Sequence, residues 1–199
     1  MGNRALERAE AMDKRIIIIA MTGASGAAFG LAALRLLAGM GGVESHLVIS
    51  DAARRTISHE LEITPGELAE LADATHDFRD IGAAPASGSF PAAGMLIAPC
   101  SIHTLSAVAY CNASNLITRA ADVMLKERRP LVLMVRETPL HLGHLRAMSA
   151  AAEAGAVIAP PVPALYARPR DLDEAVTHTT ARALSLLGLE APGKPLWKG

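Results

Sequence analysis

Apolar positions along this chain fall into two patterns: short continuous runs, and longer stretches at helical spacing. Arg15–Met21 (RIIIIAM) is a β-branched run that leads into glycine, which predicts a strand buried on both faces. Val43–Ile49, residues 94–98, Leu131–Val135 and the short stretch 156–159 read the same way. Helices are predicted over Ala27–Ala38, 51–61 with Asp51 as cap, 116–128, 142–154 and 171–187. In the last, Leu172, Ala175, Val176, Thr179, Ala183, Leu184 and Leu187 form one apolar stripe. Thr64, Pro65 and Glu67 have the spacing of a capped short helix, and another helix is expected after Pro99–Thr104. Residues 75–93 carry little periodicity and read as a long loop.

Strands alternating with helices predict a single α/β domain of three layers, with a mostly parallel sheet between helices and right-handed crossovers. Ligands in such sheets sit beyond the carboxyl ends of the strands. Those ends carry Thr22, Gly23, Ala24, Ser25 and Gly26, then Ser50, then Pro99–Thr104, then Arg136 and Glu137.

Composition narrows the possibilities. The 199 residues are 51% hydrophobic but only 3% aromatic, so the core is built from Ala, Val, Ile and Leu. A net charge of −1 supplies no basic field for nucleic acid. No apolar run reaches membrane-span length, no signal-peptide pattern is visible, and Cys100 and Cys111 match neither a disulfide framework nor a zinc spacing. A reducing cytoplasm is therefore expected, with residues 1–14 a polar extension.

Each chemical candidate has a plainer rival. Gly23, Gly26 and Gly30 form no complete dinucleotide fingerprint; their loop reads as a phosphate or flavin cradle, or as a tight strand–helix turn. Ser101 and Thr104 are placed to bind phosphate or simply to cap a helix. Arg119, Asp122 and Lys126 share a helix face, either as a cationic wall or as a solvated face with an internal ion pair. The run from Lys126 to Arg129 complements a helix dipole. Arg136 and Glu137 suit anion binding and proton exchange, or a structural pair. His141 and His144 lack a third metal ligand, Cys100 lacks a base, and Ser87-Gly88-Ser89 reads as a loop.

Taken together, MTGASGA at 21–27, LVIS at 47–50, PASGS at 85–89, PCSIHTLS at 99–106, RAADVMLKERRPLVL at 119–133, VRETPLHLGHLR at 135–146 and PPVPALYARP at 160–169 resemble the UbiX/Pad flavin prenyltransferase family, formerly called aromatic-acid decarboxylases. The likeness spans about residues 15–187 and implies a Rossmann-like, flavodoxin-like fold. It implies a metal-independent transferase that joins dimethylallyl phosphate to reduced FMN at N5 and C6. The prenylated FMN then serves a UbiD-type decarboxylase, with ubiquinone biosynthesis the expected pathway. By the same resemblance, Gly23, Ala24, Ser25, Ser50, Ser101, Ile102, His103, Thr104 and Arg136 bind FMN. Lys126, Tyr166, Arg182, Arg119 and Ser89 serve the prenyl phosphate, and Glu137, Lys126, Glu60 and Ser25 are the catalytic candidates. The family implies homododecamers with sites between subunits, and a tail over 188–199 whose Trp197 covers the site. His103 departs from the Lys or Gly of many relatives. The rivals are a cysteine-decarboxylase-like FMN lyase, whose PASANT motif is absent here, and a non-catalytic FMN carrier.

Overall fold

The computed structural model describes residues 14–196. Trp197 and all of the predicted N-terminal extension except Lys14 lie outside the described residues. Six parallel strands form one sheet in the order β3-β2-β1-β4-β5-β6. They are β1 (Arg15–Met21), β2 (Val43–Ile49), β3 (Ala74–His76), β4 (Ala92–Cys100), β5 (Leu131–Val135) and β6 (Val157–Ile158). The helices are α1 (Ala27–Ala38), α2 (Asp51–Glu60), α3 (Pro65–Ala69), α4 (Ile102–Ala109), α5 (Leu116–Lys126), α6 (Leu142–Glu153) and α7 (Leu172–Ser185).

The isoleucine run explains the layering. Successive side chains of a strand point to opposite faces. Ile17, Ile19 and Met21 enter one core with residues of α1, α2, α3 and α7, while Ile18 and Ala20 enter a second with residues of α4, α5 and α6. The chain builds outward from β1 in one direction to β3, then returns to build from β4 to β6 in the other. The crevice where that order reverses, between the carboxyl ends of β1 and β4, is where such a sheet receives a ligand.

Several local expectations are corrected. Helix α2 is capped by Ser50, whose Oγ accepts from Ala53 N at 3.1 Å, and Asp51 is its first residue, paired with Arg79. Strand β4 is longer than residues 94–98, because a register shift between Ile97 and Cys100 carries Pro99 within the strand. The loop at 75–93 contributes to β3, whose three residues gain definition only from pairing with β2. Helix α5 stops at Lys126 because Arg128 takes a positive φ of 54°. Leu172 is 78% exposed: as the first residue of α7 it projects beyond the core that Val176 and Leu184 reach. The start of the predicted tail is partly core, with Leu189 and Ala191 buried beside α7.

Candidate active site

Three strand ends open into helix N-termini around the switch-point crevice. After β1 the chain turns through Gly26, at φ 111° a conformation that glycine adopts without a Cβ penalty. Helix α1 therefore has no side-chain cap of its own and no acidic residue in its first turn. Glu60, at the end of α2, closes it instead: Oε2 accepts from Gly26 N and Ala27 N, both at 2.8 Å. Partial burial acts to raise the Glu60 carboxyl, but the Ser25 hydroxyl, the Ala27 and Gly26 amides and the Arg136 charge together hold it below its ordinary value. Glu60 is thus a carboxylate at neutral pH, tied to the glycine loop and electrostatically to the end of β5.

At the end of β4, Ser101 Oγ accepts from Thr104 N (3.3 Å) and donates to Thr104 Oγ1 (3.1 Å). Buried Thr22 links the loops, its hydroxyl donating to Pro99 O (2.8 Å) and accepting from Ser101 N (2.7 Å). Sequence reasoning gave Thr22 no individual role; its place after an apolar strand was the available signal. A cavity of about 370 Å³ lies here, lined by Thr22, Gly23, Ser50, Ser101, His103 and Thr104 among others. Ser50, Asp51 and Ala52 at the start of α2 and Ser101, His103 and Thr104 at the start of α4 all line this cavity, and two converging helix N-termini fit the phosphate of a mononucleotide.

Arg136 continues the β5 edge, its N–H donating to Cys100 O at 3.1 Å. Glu137 beside it is exposed, its Oε1 accepting from Thr138 N at 2.9 Å. Tyr166 and Arg182 line a different cavity, of about 150 Å³, with Met134, Pro160, His178 and Pro195. Arg182 Nη1 donates to Ser185 Oγ at 3.0 Å, and Tyr166 Oη donates to Pro195 O at 3.5 Å.

Lys126 and Ser89 lie elsewhere. Helix α5 crosses back between β4 and β5, so its C-terminus reaches the amino ends of those strands, where Met95 N donates to Pro130 O at 2.9 Å. At about 3.3 Å per residue, the nine residues of β4 put this end of the sheet about 30 Å from Ser101. Lys126 pairs with Glu127, and Arg119 pairs with Asp122 at 2.7 Å, so each cation already has a carboxylate of its own. One chain thus brings Gly23, Ser50, Ser101, His103 and Thr104 to one cavity and Tyr166 with Arg182 to another, and it leaves Lys126 and Ser89 apart from both.

Complete burial pushes the Cys100 thiol up to about 12, which keeps it protonated and unreactive. His141 caps α6 by accepting from Gly143 N at 3.0 Å, with its ring centroid 3.6 Å from that of His144. No group of three metal-ligating side chains occurs among the described residues.

An open parallel sheet with an anion-donor crevice at its switch point defines a mononucleotide-binding α/β protein. Residues 5–179 match the Flavoprotein family. The chain is 54% identical to flavin prenyltransferase UbiX of Escherichia coli K12, covering 88% of this chain and 93% of that one. It is 52% identical to the Thauera aromatica enzyme of the same name, covering 92% and 94%. Its fold superposes with TM-score 0.91 on AnUbiX (PadA1), crystallised with FMN and dimethylallyl pyrophosphate, at 45% identity over 94% of this chain and 98% of that one. The dodecameric FMN-dependent UbiX-like decarboxylase of E. coli O157:H7 gives 0.90 at 44% identity, covering 92% and 100%. The cysteine decarboxylase TvaF, at 16% identity and TM-score 0.64 over 88% of this chain and 99% of that one, shares the fold alone. The chain belongs to the UbiX flavin prenyltransferase family.

Proposed function

We propose that this protein is a flavin prenyltransferase that joins the dimethylallyl group of dimethylallyl phosphate to N5 and C6 of reduced FMN. The observation that carries this reading is the crevice at the β1–β4 switch point, lined from the N-termini of α2 and α4, in a chain 54% identical to a UbiX enzyme. Reduced FMN, when bound, supplies the electron-rich ring that receives the prenyl group.

The chain's own residues divide the remaining work. Gly23, Ala24 and Ser25 of the first loop, Ser50, the 101–104 turn and Arg136 hold the flavin nucleotide. Lys126, Tyr166 and Arg182, with Arg119 and Ser89 close by, hold the prenyl phosphate and stabilise the charge that grows on it as the allylic C–O bond breaks. Glu137, exposed beside Arg136, carries a proton between flavin and leaving phosphate. Glu60, held ionised, fixes the glycine loop and accepts a proton through Ser25 instead of donating one. Because Lys126 and Ser89 sit about 30 Å from the crevice along the nine residues of β4, a complete site takes them from another subunit, and the assembly is a homododecamer. The product serves a UbiD-type decarboxylase, in ubiquinone biosynthesis, and the enzyme works in the cytoplasm; among the described residues no helix is long and apolar enough to cross a membrane.

Anaerobic incubation with reduced FMN and dimethylallyl phosphate, and in parallel with the diphosphate, tests the reading by mass spectrometry of the released flavin. A gain of one C5H8 unit is expected with the monophosphate. An unchanged FMN mass with both donors sinks it.

A further inference from the structure

The turn at residues 87–90 is held by Arg129, a residue to which no role in the chemistry has been given. Helix α5 ends in a double closure, Arg128 N donating to Leu125 O (3.0 Å) and Arg129 N to Met124 O (2.8 Å). That closure normally places glycine at the left-handed position. Here Arg128 occupies it, at φ 54°. The reversal brings the Arg129 side chain to the turn that precedes β4. Its Nη1 donates to Phe90 O at 2.5 Å and its Nη2 to Gly88 O at 2.8 Å. The turn is ordered from within as well: Phe90 N donates to Ser87 O (3.2 Å), Ser89 N donates to Ser87 Oγ (3.3 Å), and the Ser87 and Ser89 hydroxyls are 2.8 Å apart. On its far side the Phe90 ring lies 5.2 Å from that of His46. Gly88 sits directly against the Lys126–Glu127 pair, since a Cβ there would overlap the Glu127 carboxylate and come within 2.8 Å of Lys126 Nζ.

We propose that Arg129 is a positioning residue for the prenyl-phosphate half of the site: by clamping two carbonyls of the 87–90 turn it fixes Ser89 relative to the Lys126 ammonium. Two carbonyls two residues apart call for two N–H groups diverging from one rigid plane, which guanidinium provides and an ammonium does not. The inference rests on the function proposed above, because it takes Lys126 and Ser89 as the donor-binding groups.

Steady-state kinetics with reduced FMN and dimethylallyl phosphate, FMN titration, and hydrogen exchange of the intact enzyme test it. Arg129→Ala is expected to raise the KM for dimethylallyl phosphate by about tenfold or more, a misplacement effect. Its FMN dissociation constant is expected to stay within about twofold, because that half of the site is untouched. Amides at 88–90 should exchange faster while those of β1 do not. Arg129→Lys should fall between wild type and Arg129→Ala. Gly88→Ala, which pushes the turn off Lys126 by an independent route, should raise the same KM. These two milder variants carry the test if Arg129→Ala does not fold. A wild-type KM in folded Arg129→Ala overturns the proposal, as does a parallel loss of FMN affinity, which would mark general destabilisation. Wild-type enzyme that turns over no prenyl donor removes the functional reading and this inference together.

Discussion

At the scale of single residues, the two carboxylates assigned to proton chemistry differ in their surroundings. Glu137 is exposed and makes one local hydrogen bond, so its replacement should affect chemistry far more than folding. Glu137→Gln is expected to bind FMN normally and to prenylate it about a hundredfold or more slower, the usual loss for a proton-transfer group; titration and single-turnover mass analysis check both. Glu60 is tied into the fold. Its carboxyl lies below the ordinary value of 4.5, so its stabilising contribution is fully present above 4.5 and is lost as pH falls through the lower folded value. Glu60→Gln should therefore flatten the acid side of the stability profile, read from denaturant melts across that range. The sequence made Ser101 and Ser50 visible, because a hydroxyl after an apolar strand is a local signal. It could not show that Glu60 caps α1, because that contact joins residues 34 positions apart.

Elements buried on both faces were the easiest to read. Arg15–Met21, Val43–Ile49 and Leu131–Val135 have the bounds that the sequence pattern predicts, because every residue after the first two of β1 and β2, and all of β5, is buried. Strand β3 was illegible for the converse reason: three residues hold no period, and pairing with β2 alone defines them. The end of α5 also escaped, since no glycine announces it. That position carries a testable cost. An L-residue in the left-handed region is disfavoured by roughly 1–2 kcal/mol, so Arg128→Gly should stabilise the fold by about 1 kcal/mol in equilibrium unfolding. Part of that gain is offset by the greater freedom of glycine in the unfolded chain.

For the whole molecule, the direction of the crossover helix decides where the chemistry sits. Motifs name Lys126 and Ser101 equally well, but only the topology shows that they lie at opposite ends of the sheet. A mixed assembly of Lys126→Ala and Arg136→Ala chains should therefore recover activity that neither variant has alone, up to about a quarter of wild type if each site draws on two subunits at random. Co-purified mixed oligomers, assayed against each parent, check it; no recovery would place all the groups in one chain. The sheet's margins bear on another property. It is bounded by β3 and β6, of three and two residues, at either side of longer central strands. Such short borders offer an incoming strand few unpaired backbone groups to copy. A chain that is half hydrophobic is thereby guarded, once folded, against edge-to-edge joining of its sheet to that of another copy.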